Sequence, residues 1–286
     1  MAGFDRRAGD LGNIVELGHV NLGVPDQGLA TDFYISALGL TRDPFMMTGT
    51  DNMWANAGRT QFHLPTREHA QVLGATMGAT IGLIVPDLGK LEERLARSPG
   101  RLRDTKFGFA LDEGALLVTC PWGNRIRCHQ AAPEGPALGI SYVEFEVPAG
   151  AVHGIARFYR DILDARVVPD ATDDLVSVEA GDGQHLIFVE TDGKLPEFDG
   201  YHVQITIVDF SGPHARLSER KLITREDDPY QYRFTDIVDL DEGRVLFAVE
   251  HEVRSMRHPM YGRPLINRNP DQTARTYRHG ADALAF

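Results

Sequence analysis

The chain has few cysteines and few tryptophans, two of each among 286 residues. Cys120 and Cys128 are too few for a disulfide framework, which excludes a small disulfide-stapled fold. They flank a predicted turn at residues 122–124. We expect two reduced thiols there, with a single hairpin bridge as the alternative.

An excess of basic residues is also missing, since the formal net charge is −12. Nucleic acids and anionic membrane surfaces attract basic proteins, so neither is expected as the main partner. No apolar stretch approaches the length of a membrane span, and the polar, glycine-rich residues 1–13 do not resemble a signal peptide. We therefore expect a cytoplasmic protein. Whether it forms a homo-oligomer stays open.

What the sequence does have is an internal repeat. Four strand-like segments begin at His19, Thr80, Tyr142 and His202, at intervals of 61, 62 and 60 residues. A fixed period of this length indicates that one structural unit is present in four copies. Hydrophobic residues make up 42% of the chain, which is enough to bury cores in all four.

Each copy has the same predicted order of elements, namely strand, helix and then further strands. Residues 32–39 and 157–163 carry apolar side chains at helical spacing, and Gly181-Asp182-Gly183 separates two alternating segments as a hairpin turn would. The first and third copies resemble each other more than either resembles an even copy. The pattern thus predicts a two-unit module that is itself duplicated.

The boundary between the two modules is predicted in the proline-rich residues 131–136. It gives an N-terminal module, 14–131, and a C-terminal module, 138–253. The remaining tail, 254–286, has no clear periodicity.

With this repeat, the sequence resembles the vicinal oxygen chelate superfamily, which includes glyoxalases, bleomycin-resistance proteins and type I extradiol dioxygenases. The resemblance covers residues 14–253. The segments that carry it are Gly18-His19-Val20, Phe33-Tyr34, Leu38-Gly39-Leu40, residues 61–64 and residues 121–126. It implies an α+β fold of four βαβββ units, which form two modules with cup-shaped mixed sheets and outer helices.

The resemblance also implies where a metal would bind. In that superfamily the ligands come from the first residue of an opening strand and from the last strand of a unit. Carried over to the C-terminal module, this gives His202 and Glu250, with Tyr142 or His185 as the third ligand. Tyr142 and His185 are also the residues implied to transfer protons. Glu252 is two residues after Glu250 and would point to the same face of the strand, so a shift of the register by two residues would make Glu252 the ligand.

The N-terminal module gives an alternative site at His19, His63 and His129. His129 is included because Arg127, two residues before it, stands where the superfamily has a carboxylate, and a guanidinium cannot bind a cation. For either module the competing interpretation is that these histidines only make hydrogen bonds within the protein.

The resemblance implies a metal-dependent enzyme of the extradiol dioxygenase type, with Fe²⁺ or Mn²⁺ as cofactor. Its substrate would be a small molecule with two neighbouring oxygens, such as a catechol or an enediol. Two alternatives stay open. One is a glyoxalase-like or epimerase-like isomerase or lyase, and the other is a metal-free protein that binds a small ligand, like the bleomycin-resistance proteins.

Overall fold

The fold consists of two eight-stranded mixed sheets and a small number of helices. The computed structural model describes residues 6–44, 46, 51–73, 79–98, 100–169 and 173–265. Within these residues there are sixteen strands and four α-helices. The predicted α+β class is confirmed, and each of the four predicted opening segments forms a strand.

The first two repeats have the expected order of elements. The first contains β1 (Ile14–Asn21), α1 (Gln27–Ala30) with a π-helical continuation (Thr31–Ala37), β2 (Thr41–Arg42), β3 (Asn52–Ala57) and β4 (Thr60–Pro65). The second contains β5 (Thr80–Val85), α2 (Leu88–Ala96), a 3₁₀ turn (Gly100–Leu102), β6 (Gly108–Asp112), β7 (Ala115–Thr119) and β8 (Arg125–Gln130). Another 3₁₀ turn (Arg6–Gly9) precedes them.

The last two repeats follow the same order with longer strands. The third contains β9 (Gly139–Pro148), α3 (Val152–Leu163), β10 (Val167–Pro169), β11 (Leu175–Gly181) and β12 (Gln184–Thr191). The fourth contains β13 (His202–Ile207), α4 (Ser211–Glu219), β14 (Ile223–Asp228), β15 (Gln231–Val238) and β16 (Val245–Ser255). The part of the tail at residues 266–286 lies outside the described residues.

The repeats do not pair in the order in which they occur. Sheet 1 has the strand order β14-β15-β16-β13-β1-β4-β3-β2, so it joins the first repeat to the fourth. Sheet 2 has the order β10-β11-β12-β9-β5-β8-β7-β6 and joins the second repeat to the third. Each sheet thus takes strands from both sides of the linker. The predicted modules 14–131 and 138–253 are segments of the sequence, and neither is one sheet by itself.

The strand register gives sheet 1 two chemically different faces. Val20 lies opposite Phe62 and Val203, and these buried residues define its apolar face. The alternate positions define its polar face, because successive side chains of a strand point to opposite sides. The polar face carries His19, Asn21, Gln61, His63, His202, Gln204, Glu250 and Glu252.

The apolar sides of the two sheets share one core, with α3 between them. The Tyr159 ring lies 5.4 Å from that of Phe188 in sheet 2, and its hydroxyl donates to His251 Nε2 of sheet 1 at 2.6 Å. The Nδ1 of His251 donates to the carbonyl of Val249. Burial lowers the pKa of His251 to about 3, so the imidazole is neutral and its Nε2 can accept.

Two helices begin at the aspartates that follow the opening strands. Asp26 accepts a hydrogen bond from the backbone of Leu29, and Asp87 accepts one from Lys90. These caps satisfy backbone N–H groups that the first turn of a helix leaves without a partner. They fix where each helix leaves the end of its strand.

Both cysteines are buried and not joined to each other, as expected for reduced thiols. Among the described residues no helix is long and apolar enough to cross a membrane.

Candidate metal centre

Three histidine side chains converge on the polar face of sheet 1. His19, His63 and His202 each offer one ring nitrogen, and these three atoms all lie within 4.8 Å of one another. The Nε2 atoms of His19 and His202 are 3.3 Å apart. This separation is suitable for two imidazoles that bind one ion, since metal–nitrogen bonds are about 2.0–2.1 Å long for zinc.

The pairing of the first and fourth repeats produces this convergence. Asn21 on β1 lies opposite His63 on β4 and opposite His202 on β13. His19 is two residues before Asn21, so it projects from the same face. The three histidines therefore come from three adjacent strands, and two of these strands are separated by more than half of the sequence.

Burial keeps these imidazoles uncharged. Desolvation is the largest cause that lowers the pKa of all three, and the nearby arginines, chiefly Arg254 for His19 and Arg233 for the other two, lower it further. The pKa of His63 falls to about 3, and those of His19 and His202 fall well below their usual value. Neutral imidazole is the form that binds metals, so the donor set suits a divalent transition metal.

His63 is oriented by contacts on both edges and one face of its ring. Its Nδ1 is 2.6 Å from the amide nitrogen of Asn21, and its Nε2 is 2.8 Å from the amide oxygen of Asn52. The Trp54 ring stacks on it at 3.8 Å and 12°. Asn21 thus donates to Nδ1 while Nε2–H donates to Asn52. Binding of an ion by His63 would replace one of these two amide contacts.

His202 lies between two carboxylates. Its Nδ1 is 3.3 Å from Glu250 Oε1, and its Nε2 is 3.5 Å from Glu252 Oε2. A carboxylate on one ring nitrogen commonly orients an imidazole whose other nitrogen binds a metal. Glu250 has the position of such an orienting group, and Glu252 is on the side that faces His19.

Two arginines hold these carboxylates in place. Arg233 pairs with Glu250 at 2.5 Å and also pairs with Glu252. Arg254 pairs with Glu252 at 2.5 Å and donates to the Gln231 side-chain oxygen. Since Glu252 and Arg254 are both buried, the two acids and two bases form a largely desolvated charge cluster beside the histidines. Arg233 was not anticipated from the sequence, because no local motif distinguishes it from other strand residues.

The two predicted ligand sets are both divided between the sheets. Tyr142 and His129 belong to sheet 2, where the Tyr142 hydroxyl is 3.0 Å from His129 Nε2. Tyr142 is thereby separated from His202 and Glu250, and His129 is separated from His19 and His63. The reason is that β8, which carries His129, and β9, which carries Tyr142, both pair with β5, and all three strands belong to sheet 2. Sheet 1 instead brings together His19 and His63 from one predicted set and His202 and Glu250 from the other.

Sheet 2 has different residues at the corresponding positions. The pKa of Tyr142 is raised to about 12, mainly by burial, so the side chain is a neutral phenol. Its ring covers Gly82, where an added Cβ would lie 2.2 Å from Cε1 of the tyrosine. His185 lies beside Tyr142 in register, but its Nδ1 is 3.0 Å from the Ser177 hydroxyl. Tyr142 and His185, which were predicted as third ligand or as proton-transfer residues, therefore lie outside the histidine cluster.

A cavity of about 550 Å³ opens over sheet 1 next to His19. Its walls include Gln61 and Gln204 from the polar face, the linker residues 136–138, and part of the chain that follows β16. This volume is within the usual range for small-molecule sites, about 300–1,000 Å³. The cavity gives a small substrate access to one of the three histidines.

Glu16 is a titratable residue of this cavity that the sequence analysis missed. Its side chain accepts a hydrogen bond from the Thr206 hydroxyl at 3.2 Å. Burial raises the pKa of Glu16, against the lowering effects of Thr206, Arg59 and Arg254. A carboxyl group with this environment can accept a proton and release it again. Its position three residues before His19, on the strand that opens the repeat, is the only sequence signal for it.

The burial of His63 leads to a prediction for the metal-free protein. In the folded state the pKa is about 3, whereas the unfolded value is 6.5. Between these values the unfolded chain binds more protons, so the free energy of unfolding falls as the pH is lowered, by up to about 1.4 kcal/mol per pH unit for this group. His63→Asn should make that slope shallower in urea denaturation between about pH 6 and 4. His69→Asn, which alters a side chain that is 89% exposed, should not. Equal slopes for wild type and His63→Asn would contradict a neutral buried His63.

Solved structures with this architecture include two from well-separated organisms. A single-residue variant of glyoxalase I from Zea mays matches with a TM-score of 0.58 and 15% identity, over 85% of this chain and 94% of that chain. A provisionally assigned dioxygenase from Bacillus subtilis matches with a TM-score of 0.55 and 14% identity, over 87% of each chain. No protein-family model and no curated protein matches the sequence. The chain has the fold of the vicinal oxygen chelate superfamily, as the sequence predicted.

Proposed function

We propose that this chain is a metal-dependent enzyme that binds a small substrate through two neighbouring oxygen atoms. The observation that carries the proposal is the convergence of His19, His63 and His202 beside a cavity of substrate size. We assign the reaction to the extradiol dioxygenase type, with a catechol or an enediol as substrate. Similarity of fold alone would not support an activity, because one fold serves many functions.

The three imidazoles would hold the metal, for which Fe²⁺ or Mn²⁺ stays our prediction. A metal bound there supplies a Lewis acid and a template for the two substrate oxygens. Because all three donors are neutral, they leave the charge of the ion uncompensated. The site would therefore favour a substrate that binds as an anion.

The other residues of the polar face have distinct tasks in this proposal. Glu16 would accept the proton that a substrate hydroxyl gives up, at one of its carboxylate oxygens. The side-chain amides of Gln61 and Gln204 line the cavity and can bind substrate oxygens. Glu250 would keep the His202 ring in its orientation through Nδ1, while Arg233 keeps Glu250 in place.

A second candidate is an isomerase or lyase that uses the same metal without oxygen chemistry. Glu16 favours it, since a partly buried carboxyl of raised pKa can take a proton from one carbon and return it to another. The two candidates share the metal and the cavity. They differ in whether dioxygen is consumed.

Anaerobic metal analysis of the purified protein tests the proposal. We expect close to one iron or manganese ion per chain after reconstitution, and oxygen consumption when catechols are added. Metal binding without oxygen consumption, together with turnover of an α-hydroxycarbonyl compound, would favour the isomerase. If no divalent metal binds, both enzymes are excluded and a ligand-binding protein without metal is left.

A further inference from the structure

The chain that follows β16 turns back over the cavity and forms part of its wall. Residues 260 and 262–265 line the cavity together with His19 and Gln61. The turn is built from successive backbone hydrogen bonds, from His258 to Ser255, from Tyr261 to His258 and from Arg263 to Met260. Gly262 has φ +66°, a left-handed conformation that costs little for glycine. We call residues 256–265 the tail segment.

A buried ion pair fastens the tail segment to the first repeat. The Arg263 guanidinium donates to both carboxylate oxygens of Asp43, and Asp43 is fully buried. The same carboxylate accepts from the Gln61 side chain at 2.7 Å, and Gln61 is opposite His19 in the strand register. A paired, desolvated charge of this kind holds its partners in one arrangement, because separating them would take the Arg263 charge away from a fully buried carboxylate. The tail segment is thereby connected to the strand next to the histidines.

The charges around the cavity favour an anionic ligand. Arg59, Arg254 and Arg263 line it, and Glu16 is the acid among the lining residues. Arg254 and Arg263 are already ion-paired, whereas Arg59 is exposed and has no hydrogen bond or ion pair within the described part of the chain. Arg59 therefore presents a cationic group to the cavity that a small anion can pair with.

Another part of the cavity wall is apolar. Leu138 from the linker lies on one side, and Met260, Pro264 and Leu265 of the tail segment lie on the other. Apolar walls of this type bind hydrocarbon or aromatic groups by excluding water. A ligand that matches both features has a carboxylate at one end and an apolar body.

We propose that the tail segment, anchored by Arg263 and Asp43, completes a binding site for a small carboxylate-bearing molecule whose carboxylate pairs with Arg59. This inference rests on the proposed function, because it adds a carboxylate group to the proposed substrate with two neighbouring oxygen atoms. The binding step itself needs no metal. It can therefore be tested on metal-free protein, so that its failure is distinct from a failure of metal binding.

Benzoate and benzyl alcohol are matched probes, since they share an aromatic ring and differ in charge. Calorimetry on the metal-free protein should show that benzoate binds about tenfold more tightly or better, the size expected for one charge-assisted contact. Arg59→Met should remove this preference, while Arg257→Met, which changes an exposed arginine of the tail segment, should retain it. Equal binding of the two probes by wild type, or an unchanged preference in Arg59→Met, would overturn the proposal.

Hydrogen exchange of residues 256–265 tests the anchor. Benzoate should slow exchange in wild type, and Asp43→Asn, which keeps the shape of the side chain and removes its charge, should accelerate exchange about tenfold. Exchange in sheet 2 should be unchanged, which reveals whether the variant is folded. If Asp43→Asn exchanges at the wild-type rate in this segment, the ion pair is not the anchor.

Discussion

Replacing His202 by alanine is expected to reduce metal content from close to one ion per chain to less than about a tenth of that. His202 supplies the ring nitrogen nearest to His19. It is also the only one of the three histidines that is in contact with both Glu250 and Glu252. Its removal leaves two imidazoles from the first repeat, and affinity should fall by at least about 100-fold, since loss of even an outer-shell partner costs 10–100-fold. Metal analysis after dialysis measures the loss.

His129→Ala is the matched control, because it removes an imidazole from sheet 2 and leaves sheet 1 unchanged. It should bind metal as wild type does. Tryptophan fluorescence gives an independent signal, since the Trp54 ring stacks on His63 and a paramagnetic ion such as Co²⁺ would quench it. Trp122→Phe leaves Trp54 as the single tryptophan for this purpose. Loss of metal in His129→Ala, with retention in His202→Ala, would move the site to sheet 2.

Arg233→Met is expected to lower the free energy of unfolding by about 3–5 kcal/mol. The arginine side chain is 15% exposed and pairs with Glu250 and Glu252, the second of which is 4% exposed. The substitution keeps most of the apolar stem but removes the charge, so both carboxylates lose a counter-charge where water cannot easily replace it. Arg254 would still pair with Glu252, which places the expected loss within this range and not above it.

Urea denaturation of the metal-free protein measures this effect. Arg244→Met, in the loop between β15 and β16, is the control, because its side chain is 65% exposed and pairs with Glu242, which is 70% exposed. Ion pairs at the surface contribute about 0–1 kcal/mol, so this variant should differ little from wild type. Similar losses in the two variants would show that the cluster around Arg233 behaves like a surface network.

The local features of the fold could be predicted from the sequence, because they depend on periodicity within short segments. The interval of about 60 residues located the four opening strands, and the hairpin at Gly181-Asp182-Gly183 joins β11 to β12. His19, His63 and His202 were each identified as candidate ligands. These inferences needed only the position of each residue within its own repeat.

The grouping of those candidates could not be predicted, because it depends on which repeats share a sheet. Similar repeats at equal spacing allow several pairings, and the edge-to-edge contact of β1 with β13 has no local signature. One signal did point to it. The first and fourth repeats both open with histidine, whereas the second and third open with Thr80 and Tyr142. Arg233 had no such signal, because no local motif distinguishes it from other strand residues. The anchor between Asp43 and Arg263 had none either, since these residues are 220 positions apart.

The pairing of the first repeat with the fourth also constrains when the site can form. During synthesis the second and third repeats can assemble sheet 2 as neighbours, but β1 cannot find β13 until about three quarters of the chain exists. Until then the polar face that carries His19 and His63 has an open strand edge. A nascent or truncated chain that lacks β13 therefore has two of the three histidines and no complete binding site, so metal capture reports that β1, β4 and β13 have come together.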